Sequence, residues 1–275
     1  MIEEKKLISP EEQKKMLLDM LKYVDAICRK NDIQYSLIGG SLIGAIRHKG
    51  FIPWDDDVDI ILDYKNYVKL MRILKEQKND NYDILIPGSK GYPLHILKLV
   101  NKHTSLEEAG LANKIENYGL FLDIFCYHHV PNDEVKRKKF FKRLNFLRKS
   151  LVRVKLNHRN PSFAKKIVRL FKNMIVFVFG NRIFLNRYLN LLNKYECIDA
   201  KYVVSDNPVY SYEKEIQEFE NIKEYIDVYF EGIKVMIFKN YDKILHTTFG
   251  NYMQLPPVEK RVTHELTVYY KWGVI

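Results

Sequence analysis

The sequence predicts an α+β protein, a mixed sheet with flanking helices, a helical insertion and a C-terminal part. Three observations predict it. Strand and helix patterns mix over the first 130 or so residues. A stretch from Val135 to Tyr195 then carries 18 Lys or Arg and no Asp or Glu, with apolar residues at helical spacing. Finally, 275 residues at 47% apolar and 29% charged composition suffice for a full core.

The elements follow in order. Ser9-Pro10-Glu11-Glu12 reads as a helix start, with a serine cap, proline in the first turn and acids at the positive end. Leu17, Leu21, Val24 and Cys28 repeat at helical spacing, so the helix runs to about Lys30. Ile33 to Ile38 is a short strand entering the Gly39-Gly40 turn, and Ser41 is placed to cap a brief helix that closes at Gly50. Residues 57–62 form a strand and Tyr64 to Gln77 a helix. Further strands are expected at 82–87, 93–100 and 119–125, and the later chain reads as mainly helical. Phe140, Leu144, Leu147, Leu151 and Val154 mark one cationic amphipathic helix; Phe163, Ile167, Leu170, Met174 and Val178 mark a second.

Charge and cysteines bound the function. The net charge is +11, yet outside 135–195 there remain 27 basic against 34 acidic residues, a net of −7. The basicity thus belongs to one segment. Cys28, Cys126 and Cys197 are odd in number and form no C-x-x-C pair, which argues against a disulfide framework or a zinc knuckle. The first residues, MIEEKKLISPEEQKK, contain no apolar signal core, and MIVFVF at 174–179 is too short to span a bilayer. The expectation is a cytoplasmic protein, peripheral at most on the inner membrane face.

The stretch GGSLIGAIRHKGFIPWDDDVDII, residues 39–61, carries the chemistry. Residues two apart in a strand share a face, so Asp57 and Asp59 present both carboxylates together. Adjacent carboxylates repel, and a hard divalent cation, Mg²⁺ or Mn²⁺, relieves the conflict. Gly39 and Gly40 let the backbone approach an anion, and the N–H groups at Ser41 and the following helix start can bind phosphate. Arg47 adds a cationic contact. The glycines fit neither G-x-G-x-x-G, nor a P-loop, nor a nucleophile elbow. Asp55-x-Asp57-x-Asp59 imitates the first half of a calcium loop, but Ile60 and Asn66 stand where that loop needs Gly and Glu. Asp123 is the single acid in the apolar strand GLFLDIF; it reads equally as an edge-strand residue or as a third carboxylate.

GGSLIGAIRHKGFIPWDDDVDI closely resembles the signature of the LicD-like phosphocholine transferases, whose wider family includes fukutin and the fukutin-related protein. GLFLDIF with its following Val-Pro, and NYDKILHTTFGNYMQLPPVEKRVTH, resemble further stretches of that family in the same order. The resemblance covers about Glu11 to Pro131 and Phe238 to Tyr270. It implies a nucleotidyltransferase-like fold and transfer of phosphocholine, or a related phospho-alcohol, from a CDP-linked donor such as CDP-choline to a sugar of a cell-surface glycan, releasing CMP. On this resemblance Asp57 and Asp59 bind the metal with Asp55 beside them, and Asp123 completes the coordination or activates the acceptor. Gly39, Gly40 and Ser41 hold donor phosphates, and Lys98, Arg261 and His264 match basic positions suited to the diphosphate. Residues 1–134 would form the catalytic core, 135–200 the basic helical insertion and 201–275 a part completing the donor site.

One departure stands out: relatives often continue D-I-F-P-L-D, whereas this chain has Asp123-Ile-Phe-Cys-Tyr-His128. His128 and His129 read as polar residues at a strand end rather than zinc ligands. The glycan acceptor is expected to be lipid-linked in some cases, and cationic helices suit an anionic membrane surface; helices packed on the core with solvated basic faces are an equal alternative. No nucleic-acid partner is expected, since no binding motif accompanies the charge. Two other functions stay open: a nucleotidyltransferase that uses an NTP and releases pyrophosphate, and an inactive membrane- or glycan-binding module.

Overall fold

The fold is α+β in a computed structural model that describes residues 6–107, 115–151, 182–196, 199–261 and 266–271. Helix α1, Pro10–Lys30, starts at a capping box in which Ser9 Oγ accepts from Glu12 N and the Glu12 carboxylate accepts from Ser9 N. Its buried stripe includes Leu17, Leu21, Val24 and Cys28, the stripe expected from spacing. Strand β1 is only Ser36–Leu37, and α2 spans Gly39–Arg47. Strand β2, Asp59–Asp63, leads directly into α3, Tyr64–Glu76, because the Asp63 carboxylate accepts from Asn66 N at 2.9 Å and caps the helix. Strands β3, Tyr82–Leu85, β4, Leu97–Asn101, β5, Thr104–Glu107, and β6, Phe121–Val130, follow.

Strand β6 is the spine of the main sheet. Strand β2 runs parallel along one edge, with Asp59 opposite Asp123 and Ile61 opposite Phe125. On the other edge β4 is antiparallel to the first half of β6, placing Lys98 opposite Asp123, and β7, Tyr202–Ser205, is antiparallel to the second half. Strand β1 closes one end beyond β2, β3 lies outside β4, and β8, Gln217–Glu218, lies outside β7. Asp59, Asp123 and Lys98 therefore form one row across three neighbouring strands.

The C-terminal part departs from the expectation of mainly helical structure. Strands β9, Tyr225–Phe230, and β10, Ile233–Phe238, form a hairpin, and β11, Thr267–Tyr270, pairs with β5. The hairpin closes through Glu231 and Gly232, both at positive φ, which is the two-residue turn that suits strand twist. Cross-strand pairs such as Val235 with Val228 and Ile237 with Ile226 then outweigh local helix preference. Helix α6, Tyr212–Glu215, and helix α7, Tyr241–Phe249, flank it.

Helix α4, Glu134–Leu151, is the first of the two expected cationic helices. Its apolar side, with Phe140, Phe141, Leu144, Leu147 and Leu151, packs with Leu185, Tyr188 and Leu192 of helix α5, residues 182–192, and with Val130 and Val204 of the sheet. That stripe is spent on the protein's own core, as in the packed alternative. The second expected helix, around 163–178, lies outside the described residues, as do Cys197 and His264. Among the described residues no helix is long and apolar enough to cross a membrane.

Candidate active site

A cavity of about 350 Å³ opens between the start of α2, the acidic loop, and the segment running from β7 to α7. Gly39, Gly40, Asp55, Asp57 and Asp59 line one wall. Helix α2 begins at Gly39, with Ile38 as cap and no side-chain cap. Ser41 therefore does not cap it. Its hydroxyl instead accepts from Asp59 N at 3.0 Å and ties the helix to the first residue of β2. A Cβ on Gly40 would lie 2.4 Å from Asp55 Oδ2, so a side chain here would push that carboxylate aside. The first turn of a helix leaves N–H groups without intrahelical acceptors, so this end of α2 is a ready anion cradle.

The acids stand around that cradle. Strand β2 starts at Asp59, so Asp57 belongs to the loop before it rather than to the strand expected from residue 57. Asp55, Asp56 and Asp57, all half-buried, bring one oxygen each within 4.8 Å of one another. Burial, then the charges of Asp57, Asp123 and Asp55, hold the Asp59 carboxyl well above the usual carboxylate range, with Lys98 opposing. Lys98 itself is buried. Its Nζ donates to Asp123 Oδ1 at 2.5 Å and lies 3.3 Å from the centre of the Phe121 ring. The structure thus pairs Lys98 with the third carboxylate.

Arg47 and Arg261 lie near each other and are not among the residues lining this cavity. Arg47 Nη1 donates to Tyr252 O at 2.6 Å, and the Arg261 guanidinium sits 4.7 Å over the Trp54 ring. Burial, then the nearby charge of Arg261, lowers the proton affinity of Arg47. His128 lies inside β6 rather than at its end; its Nδ1 contacts Glu196 Oε1 at 2.8 Å.

Sequence reasoning missed the opposite wall, which includes Ser205, Asn207, Tyr210, Lys214, Glu215 and Phe249. It also missed Asp206, whose carboxyl is buried and pushed well up by that burial, with Asp123 adding to it. Neither group carries a local motif; strand pairing between β6 and β7 brings them in.

The described residues thus form an α+β sheet whose adjacent strands oppose two aspartates, beside an acidic loop packed on a glycine-rich helix start. Residues 32–151 match the family described as LicD/FKTN/FKRP, nucleotidyltransferase domain. The chain is 31% identical over 283 aligned positions, 96% of this chain and 99% of the relative, to the lipopolysaccharide cholinephosphotransferase LicD of Haemophilus influenzae. It is 46% identical to human ribitol 5-phosphate transferase FKRP over 44 residues, 16% of this chain and 9% of that protein. An uncharacterized protein of Rickettsia typhi, RT0683, is 36% identical over 83 residues, 30% of this chain and 25% of the relative. The chain belongs to the LicD family and is a phosphotransferase of the LicD type.

Proposed function

We propose that the protein transfers phosphocholine, or a related phospho-alcohol, from a CDP-linked donor to a sugar hydroxyl of a glycan, releasing CMP. The observation that carries this reading is the register of Asp59 opposite Asp123, beside Asp55 and Asp57 at the start of α2. Relatives named for cholinephosphate and ribitol 5-phosphate transfer support the substrate class.

The donor set fits a hard divalent cation. Hard oxygen ligands, several carboxylates and one acid held reluctant to ionise are what Mg²⁺ or Mn²⁺ would satisfy. Asp57 and Asp59 would hold it, with Asp55 and Asp123 alongside; when bound it supplies charge neutralisation at the diphosphate. The chain's own groups do the rest. Backbone N–H groups of Gly39, Gly40 and Ser41 bind and orient phosphate oxygens. Asp123, fixed by Lys98, takes the proton of the attacking sugar hydroxyl. The sugar oxygen bonds to the distal phosphorus, and the bond from that phosphorus to the CMP oxygen breaks, with CMP leaving with the electron pair.

The test is turnover of CDP-choline, CDP-ribitol and CDP-glycerol with glycan acceptor, scored by CMP release. CMP release that depends on divalent cation and fails in Asp123→Asn supports the reading. Pyrophosphate release from CTP, without CMP release from any of the three donors, would replace it with nucleotidyl transfer.

A further inference from the structure

Resting on the donor reading above, we propose that the aromatic side of the cavity is a pocket for a quaternary ammonium head group. Its walls include Phe125, Tyr127, Tyr210 and Phe249, and Glu215 lines it with them.

Strand periodicity places the pocket at the right reach. Asp123, Phe125 and Tyr127 alternate along β6 and so share one face. At about 3.3 Å per residue, Phe125 lies roughly 7 Å beyond Asp123 and Tyr127 roughly 13 Å. That interval suits a cation carried on a two-carbon alcohol whose phosphate sits at the acids. Across the cavity Tyr210 and Phe249 meet edge to face, with centroids 5.6 Å apart and an 81° interplanar angle. Tyr210 remains 43% exposed, so its ring is open to a ligand in the cavity.

The shape selects a cation over a base. A planar base is held best between parallel faces, whereas two rings at 81° form a corner that fits a compact, round trimethylammonium. Lys214 reaches the Tyr210 ring only at 5.8 Å, the outer limit of such a contact, so the ring face is weakly engaged. Glu215 supplies the counter-charge and the scaffold. Its Oε1 accepts from Val209 N and Tyr210 N, both at 2.6 Å, and so fixes the backbone that carries the tyrosine. The same carboxylate acts electrostatically on both the Tyr127 and Tyr210 phenols. Burial holds its carboxyl above the usual range, and a permanent cation beside it would favour the ionised form.

Calorimetry on the full chain with Mg²⁺ tests this, using CDP-choline, its neutral carbon isostere CDP-3,3-dimethylbutanol, and CMP. Wild type should bind CDP-choline about tenfold or more tightly than the isostere. Phe249→Leu and Tyr210→Leu should bring that ratio towards one while leaving CMP affinity unchanged. Glu215→Gln, which keeps an acceptor for both N–H groups, should also lower it, with circular dichroism melts confirming that each variant is folded. A wild-type ratio near one overturns the proposal but leaves the donor reading standing. Equal weakening of CDP-choline and CMP in the ring variants also overturns it, and assigns the rings to the base. If wild type binds none of the three ligands, the donor reading fails and the pocket with it.

Discussion

Asp59 and Asp123 are register partners in adjacent parallel strands, and Lys98 completes their row from the far side of β6. Two carboxylates and one buried ammonium at the centre of a sheet concentrate charge where desolvation is expensive. The consequences are measurable.

Asp59 carries the unfavourable share of that arrangement, since burial and three neighbouring aspartates oppose its ionisation. Asp59→Asn should stabilise the metal-free protein by about 1 kcal/mol, a rise in Tm of roughly 2–4 °C for a chain of this size. It should also remove the Tm increase that Mn²⁺ gives wild type, and cut turnover by about 100-fold or more. Differential scanning fluorimetry with and without Mn²⁺, alongside CMP release, reads all three.

The Lys98–Asp123 pair should behave as a unit. Lys98→Met leaves the Asp123 carboxylate without its buried partner, and should cost about 3 kcal/mol in urea unfolding. Combining Lys98→Met with Asp123→Asn removes both charges and should recover most of that loss. Additive losses in the double variant would mean that the two side chains do not interact.

Stability should fall on acidification through one histidine. His95 is buried against Tyr188 with its Nε2 3.2 Å from Asn207 Oδ1, and burial lowers its pKa to about 4. The unfolded chain binds the proton near pH 6.5, so the neutral fold loses stability as pH drops from about 6.5 to 4, by about 3 kcal/mol. Buried Asp206, raised in pKa, works in the opposite sense, because it is relieved as pH falls. The difference between wild type and His95→Gln isolates the histidine: the variant should lack this part of the acid slope in urea titrations between pH 4 and 7.

The acidic loop rests on two glycine contacts of unequal rigidity. A Cβ on Gly44 would stand 2.4 Å from the Gly50 carbonyl oxygen, a backbone atom that cannot step aside alone. A Cβ on Gly50 would stand 2.0 Å from Glu231 Oε1, the end of a flexible side chain that accepts from Phe51 N. Gly44→Ala should cost about 2–3 kcal/mol and Gly50→Ala about 1 kcal/mol, and the first should depress turnover more by displacing the loop to Asp55–Asp57. Chemical denaturation and CMP release at saturating donor rank the pair.

Much of the site was legible because its chemistry is local. The glycine turn, the D-x-D spacing and the lone acid of GLFLDIF are written within short windows, and α1 declares its cap and buried stripe in the same way. What stayed hidden is decided by pairing over long separations. Nothing near Lys98 tells that it will face Asp123; that follows from β4 lying beside β6. Ser41 looked like a cap and is a tie to Asp59, because the helix starts three residues earlier than a serine cap would place it. The β9–β10 hairpin carried a signal in Glu231-Gly232 between apolar runs, weaker than Asn-Gly and therefore easy to pass over. The cavity's second wall comes from β7 to α7, where no motif marks Tyr210 or Glu215 as neighbours of the acids.

The most direct measurement of the central claim is an anomalous difference map from crystals of the full chain grown with Mn²⁺ and CDP-choline. A manganese peak within bonding distance of the Asp57 and Asp59 carboxylates, with the donor diphosphate against the start of α2, is the result predicted. Ordered donor with manganese elsewhere, or with neither side chain turned towards it, would contradict the account.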